Sequence, residues 1–309
     1  MQELSALSMR PKYYHITEAF SVVKCICRDG SIFMKKCLYV SDLDGTLLRS
    51  DKTISEYTCE VINRLTENGI LFSYATARSY VTAKMVTKGL NAKIPLIVYN
   101  GAFVIDSVSE EILISNYFDE DIKAVLEELI SNGIYPIVYS YIDGVEHFSF
   151  ILDKCSKGVR EFLDTRRGDR RWREADNVEQ LVKGNLFYIT CIDDKDKLEP
   201  FFIMYKERYH VVFQQDIYTE EQWLEIMPRE ASKANAIIQL KDYLGCEKVI
   251  SFGDAMNDID MFNISDEAYA VANAFDELKQ LAKGVIDSNN DDGVAKWLDN
   301  NMNGDVSIG

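Results

Sequence analysis

Asp42-Leu43-Asp44-Gly45-Thr46-Leu47-Leu48 follows directly on the apolar run Cys37-Leu38-Tyr39-Val40. That run reads as a buried strand. On an extended backbone residues two apart point the same way, so Asp42 and Asp44 share one side at the strand's C-terminal end. Gly45 lets the chain turn sharply after them. Two carboxylates held that close repel each other, and a divalent cation relieves the repulsion. A lone D-x-D also reads as a solvated acidic turn. The rest of the chain decides between the two.

Outward from this stretch, strand and helix alternate. Ser55 is the expected N-cap of a helix reaching about Asn68, with Gly69 just past its end. A second strand is expected over 70–75, a helix over 79–88 and a third strand over 95–99. This βαβαβ order implies a parallel sheet with right-handed crossovers. Asn100-Gly101 closes the third strand, and 102–105 with 112–115 suggests a hairpin. The rhythm changes over about 117–222. There a helix (119–131), strands (135–141, 146–152), a charged loop (166–171), a strand (185–192), a helix (195–208) and strands (210–214, 222–227) are expected. After Pro228 the alternation resumes: helix 232–243, strand 248–252, helix 255–264, strand 268–271, a short helix from Phe275, strand 284–286 and helix 292–300. The expected fold is α/β, a parallel-sheet core over 34–116 and 223–309 with an α+β module over 117–222 inserted. Residues 1–33 show weak alternation and no signal-peptide pattern, and are read as an extension whose place in the native fold is open. Met34-Lys35-Lys36 resembles a natural start.

Composition narrows the function classes. The chain has 309 residues, 47% hydrophobic and 27% charged, ample for a core and ordinary for a globular protein. No uncharged apolar stretch reaches the roughly 18 residues a membrane helix needs. A formal net charge of −16 argues against nucleic acid or an anionic membrane surface as partner. It also means that an anionic substrate needs local cations. Seven scattered cysteines form no zinc pattern and fit reduced thiols in a cytoplasmic protein. His15, His147 and His210 are too far apart in sequence for a histidine-based zinc motif.

Several other strands of the α/β portion also end in suitable chemistry. The second ends in Thr76-Ala77-Arg78, where the Thr76 hydroxyl at a strand-to-helix turn suits a phosphate oxygen. Another ends in Gly253-Asp254-Ala255-Met256-Asn257-Asp258, which sets Asp254 at the strand end with Asn257 and Asp258 about one turn on. Lys233 follows the expected N-cap Ser232, where a lysine opposes the helix dipole and gains nothing structurally. Ligands of open parallel sheets gather at the carboxyl ends of the strands. Carboxylates, an amide, a hydroxyl and a lysine at that edge make a magnesium and phosphoryl site.

With these residues in place, the chain resembles the haloacid dehalogenase superfamily of phosphohydrolases, and within it the Cof-type branch with a large α/β cap. Asp42 to Leu48 matches the first motif, Ala75-Thr76-Ala77-Arg78 the second, Ser232-Lys233 the third and Gly253 to Asp258 the fourth. Ala77 and Ala234 stand where the branch usually has glycine. Asn100-Gly101-Ala102, Val271-Ala272-Asn273-Ala274 and the run Ser288 to Ala295 are also similar, although Val271-Ala272 lacks a common Met-Gly pair. The resemblance covers about 36–300. It implies a Rossmann-like core, a cap that closes over the site and selects the substrate, and Mg2+ as cofactor. It also implies that Asp42 is the nucleophile and Asp44 the general acid and base. Magnesium would lie on Asp42, the Asp44 carbonyl and Asp254, with Asp258 and Asn257 supporting it. Thr76 and Lys233 would hold the phosphoryl group, with Ala77, Asn100 and Asn257 as further phosphate- or substrate-binding positions.

The expected function is thus a magnesium-dependent phosphatase of small phosphorylated metabolites, sugar phosphates foremost, acting through an aspartyl-phosphate. Two alternatives stand beside it: a phosphosugar mutase, and a catalytically silent phospholigand-binding regulator. A P-type ATPase would need membrane spans, and a receiver domain is about half this size. The Arg166–Arg171 run reads either as a solvated loop or as a contact for a second anionic group. Monomer and homodimer are both open.

Overall fold

The computed structural model describes residues 23–26, 32–91, 95–215 and 221–302. Most of the 1–33 extension lies outside them. Within it, strands β1 (Val23–Ile26) and β2 (Ile32–Lys35) pair antiparallel, so Met34 sits inside a strand.

β3 (Cys37–Ser41) is buried along its whole length, as a strand with neighbours on both edges and both faces must be. β4 (Leu71–Tyr74) pairs with it in parallel. The helix Glu56–Glu67 crosses between them. Ser55 caps it by accepting from the Thr58 amide, and Val61, Ile62 and Leu65 form its buried stripe. β5 (Leu96–Val98) meets the end of β4 through one parallel bridge, Ala75 to Ile97, and then pairs antiparallel with β6 (Phe103–Ile105). β7 (Ile112–Ser115) completes the expected hairpin.

The next strands build a separate sheet: β8 (Ile137–Ile142), β9 (Val145–Phe150), β10 (Trp172–Glu174), β11 (Asn185–Asp193), β12 (His210–Gln215) and β13 (Gln222–Met227). Their order is β10-β9-β8-β11-β13-β12, antiparallel except for β10 beside β9. β13 lies between β11 and β12, so this sheet runs past residue 222 to Met227. Sequence reading missed β10 and the helices Lys157–Asp164 and Val178–Leu181. One face of the sheet is covered by the helices Ile122–Ser131 and Lys195–Tyr205, through Val125, Leu129, Leu198 and Phe201 against Ile189, Leu224 and Ile226. The other face meets the first part of the molecule through rings. Phe187 lies 4.6 Å from Phe103 and 5.0 Å from Tyr99, centroid to centroid. A bulge between Leu186 and Tyr188 lets consecutive Phe187 and Tyr188 both reach that cluster.

β14 (Lys248–Gly253), β15 (Glu267–Val271) and β16 (Gly284–Ile286) return to the first sheet, giving the parallel order β16-β15-β14-β3-β4. The helix Lys233–Leu244 starts at Ser232, whose side chain accepts from the Asn235 amide. The segment after β14 begins as a 3-10 turn, Met256–Asp258, before the helix Ile259–Ile264. Adjacent β3 and β14 point the same way, so Asp42 and Asp254 emerge side by side. No helix among the described residues is long and apolar enough to cross a membrane.

Candidate active site

The Asp42 amide donates to Phe252 O of β14 (2.9 Å), which seats the residue where β3 ends. Its carboxylate, with those of Asp254 and Asp258, forms a group in which one oxygen of each lies within 4.8 Å of the others. The loop that follows is held from the far end of the chain. Asn273 Nδ2 donates to Gly45 O (2.8 Å), and Asn289 Nδ2 to Leu48 O (2.9 Å). Asn289's amide in turn donates to Asn273 Oδ1 (2.9 Å), which gives the two tail motifs a physical task. Gly45 is required twice over: its φ is +83°, and a Cβ there would stand 2.3 Å from Asp254 Oδ2. Thr46 Oγ1 donates to Asp254 Oδ1 (2.8 Å).

Lys233 projects from the first turn of its helix and is buried. Its Nζ donates to Asp42 Oδ1 (2.5 Å) and Asp258 Oδ1 (2.8 Å). Asp258 Oδ2 accepts the amides of Asp254 (3.1 Å) and Ala255 (3.2 Å). Both Asp258 oxygens are therefore engaged within the protein, whereas Asp42 Oδ2 and Asp254 Oδ2 are not used by these bonds. Burial lowers the Lys233 ammonium, but Asp258 and Asp42 outweigh it and hold the lysine charged. Burial pushes Asp42 well above the usual carboxylate range; Lys233 opposes this, and Asp258 and Asp254 add to it. Burial, with the charge of Asp258, raises Asp254 to about 6 despite the Thr46 bond. Three carboxylates share one ammonium, and the site is short of positive charge. All the donors are hard oxygens, which fits Mg2+.

Thr76 is buried at the end of β4, its hydroxyl oxygen accepting the Arg78 amide (3.1 Å). Asn100 donates its amide to Thr76 O (2.9 Å) and its Nδ2 to the Tyr188 hydroxyl (3.2 Å). Asn100 and Tyr99 both have φ of 51°, the left-handed region, at the turn after β5. Ala77 is exposed. The Asp44 carboxylate stands apart from the acid group. Arg78 grips it at two points, Nε to Oδ2 (2.7 Å) and Nη2 to Oδ1 (2.5 Å). Asp44, Ala77 and Arg78 line a cavity of about 360 Å³, whose other wall comes from the second sheet: Tyr139, Phe148, Tyr188, Thr190, Trp223 and Glu225. Asn257 is exposed and lines a different hollow, with Lys233, Asn100 and His210.

The arginine run divides. Arg167 pairs with Asp164 at the surface (2.7 Å). Arg171 is buried, bonded to Asp169 (2.6 Å), Glu146 (2.8 Å) and the Tyr99 hydroxyl (3.1 Å). Arg166 and Arg171 both border the cavity. Burial raises Glu225 to about 7, partly offset by a hydrogen bond from Tyr188. Sequence reading gave no role to Arg78, Tyr188 or Glu225. Arg78 stands two residues from Thr76 in a quoted motif, so a signal existed. Glu225 and Tyr188 lie in strands with no motif, and only the pairing of those strands brings them together.

The profile of the haloacid dehalogenase-like hydrolases matches residues 39–298 of this chain. A 5-amino-6-(5-phospho-D-ribitylamino)uracil phosphatase of Bacillus subtilis is 29% identical over 292 residues, covering 87% of this chain and 99% of its own. A second Bacillus subtilis protein of the same name is 28% identical, over 85% of this chain and 97% of its own. Among solved structures, a Thermotoga maritima protein superposes with a TM-score of 0.69 at 26% identity, covering 86% of this chain and 97% of that one. A haloacid dehalogenase-like hydrolase of Bacteroides thetaiotaomicron gives 0.68 at 25% identity, over 86% and 99%.

Proposed function

Since the chain belongs to the haloacid dehalogenase-like hydrolases, an enzyme family whose relatives include phosphatases, we propose that it is a Mg2+-dependent phosphatase of small phosphorylated metabolites. The observation that carries this reading is the buried group of Asp42, Asp254 and Asp258 around Lys233. Asp42, Asp254 and the Asp44 carbonyl would hold the metal. When bound, Mg2+ offsets the charge of the phosphoryl oxygens and of the carboxylates.

Asp42 attacks phosphorus, and the bond from phosphorus to the ester oxygen breaks. Asp44 gives the departing oxygen a proton, then takes one from the water that attacks the acyl phosphate. Phosphate leaves and Asp42 is restored. Lys233 and the Thr76 hydroxyl hold the phosphoryl oxygens, and Asp258 positions Lys233. Arg78 fixes the direction of Asp44, and the second sheet acts as a cap over the cavity. Residues 117–227 form that cap, with sugar phosphates and phosphorylated polyols as the substrate class. The relatives' phosphoribityl substrate belongs to the same broad class.

The test is phosphate release from a panel of phosphorylated metabolites with Mg2+ and with a chelator. Metal-dependent release from several esters is expected. No release under any condition, or release that the chelator leaves intact, would contradict the proposal.

A further inference from the structure

The cavity beside Asp44 has a second charged feature that the phosphoryl chemistry does not use. Across the second sheet, Phe148 pairs with Tyr139, and Tyr139 with Tyr188. Their rings form a row with centroid distances of 6.1 and 5.7 Å. On the next strand, Glu225 stands opposite Thr190, two residues along β11 from Tyr188. The row of rings thus runs into a carboxylate. We propose that Glu225 is a specificity-determining residue that accepts hydrogen bonds from the alcohol portion of the substrate, and that this portion is rich in hydroxyl or N–H donors. The proposal rests on the phosphatase reading above and adds the chemistry of the leaving group.

Three observations support it. The first is position. Asp44 borders the cavity, and in the mechanism proposed above it serves the departing oxygen, so whatever that oxygen carries would extend into the cavity. The second is the state of the charges along the wall. Arg78 is committed to Asp44, and Arg171 to Asp169 and Glu146. Arg166 lies over the Phe162 ring at 4.7 Å and donates to Thr165 Oγ1 (3.1 Å), and the exposed Lys52 also borders the cavity. No cation pairs with Glu225 among the described residues, and its protein donor is the Tyr188 hydroxyl. A carboxylate so placed has acceptor capacity left over, and an acceptor that a ligand covers without giving it a donor costs free energy. A donor on the ligand removes that cost.

The third observation is connection. Tyr188 accepts from Asn100 Nδ2, and the Asn100 amide donates to Thr76 O. The carboxylate that reads the alcohol is thereby joined by hydrogen bonds to the turn that carries Thr76. The aromatic row offers flat apolar faces on which the C–H side of a sugar or polyol can lie, with its hydroxyls directed to Glu225.

The test uses the full chain with Mg2+ at about pH 8, where Glu225 is ionised, and three esters. D-ribose 5-phosphate and D-glucose 6-phosphate are rich in donors; p-nitrophenyl phosphate has no donor on its leaving group. Glu225→Leu removes the acceptor, so the ratio of kcat/KM for at least one sugar monophosphate to that for p-nitrophenyl phosphate should fall about tenfold, mostly through KM. Glu225→Gln keeps the shape and one acceptor oxygen, so its ratio should fall less. Variants that fold, by their melting curves, and keep the wild-type ratio for both monophosphates overturn the proposal. Absence of phosphate release from all three esters would instead strike at the phosphatase reading itself.

Discussion

Lys233 shows how much a single side chain can carry. It is buried between Asp42 and Asp258, and removing one partner of a buried ion pair typically costs about 3–5 kcal/mol because the other charges are left unpaired. Lys233→Ala should therefore lower the thermal midpoint by several degrees as well as abolish turnover; a variant as stable as wild type would contradict the burial. Arg78 is the contrasting residue, since its partner Asp44 is exposed. An exposed pair contributes ~1 kcal/mol at most, so Arg78→Lys should leave the melting curve nearly unchanged. Loss of the two-point grip on Asp44 should still lower kcat by roughly tenfold. Equal loss of stability and activity would show that Arg78 is structural. Glu225 adds a pH signature. Burial holds its carboxyl at about 7, against 4.5 for a free glutamate. Between those values the folded protein keeps a proton that the unfolded chain has lost. The stability it contributes is full below the lower value and is lost as pH rises through the upper one. Glu225→Gln removes this dependence. Denaturant midpoints at about pH 5 and about pH 8 should therefore show the variant gaining on wild type as pH rises; a pH-independent difference would remove the argument.

At the scale of elements, the loop after β3 depends on one glycine. Gly45 has φ of +83° and no room for a Cβ beside Asp254. Gly45→Ala should cost more than the ~1 kcal/mol of a strain-free exchange and displace Asp254, so activity should fall further than stability. Retention of full activity in a folded Gly45→Ala protein would count against the placement of Asp254. The strand ends were legible because their signals are local: D-x-D-G after an apolar run, and a serine N-cap before Lys233. The second sheet was less so. Its helix Lys157–Asp164 carries Gly158, a poor helix former, and the reason for the glycine is tertiary. A Cβ at Gly158 would stand 2.5 Å from both Glu221 Oε2 and Ile192 Cγ2. β10 is three residues long and follows a charged turn, so no period could announce it. Its strand character comes from pairing with β9.

At the scale of the whole molecule, the two sheets contribute different groups. The parallel sheet gathers Asp42, Thr76 and Asp254 at one edge, a consequence of parallel strands that sequence order alone implied. The second sheet lays rings and Glu225 across the opening, and long-range strand pairing, which a single sequence does not encode locally, fixes that surface. Against a net charge of −16 an anionic substrate would need local cations, and Lys233 is the ammonium buried beside Asp42 and Asp258. In the proposed mechanism the phosphoryl group passes through Asp42. Asp44→Asn separates the two half-reactions, because p-nitrophenolate leaves with little proton help whereas water still needs a base. The decisive measurement is rapid-quench kinetics of Asp44→Asn with p-nitrophenyl phosphate and Mg2+, followed by mapping of the acid-trapped phosphoprotein. A burst of about one equivalent of nitrophenol is expected, with turnover slowed on the order of 10²–10⁴-fold and phosphate on Asp42. Phosphate trapped on another residue, or full steady-state activity in Asp42→Asn, would contradict it.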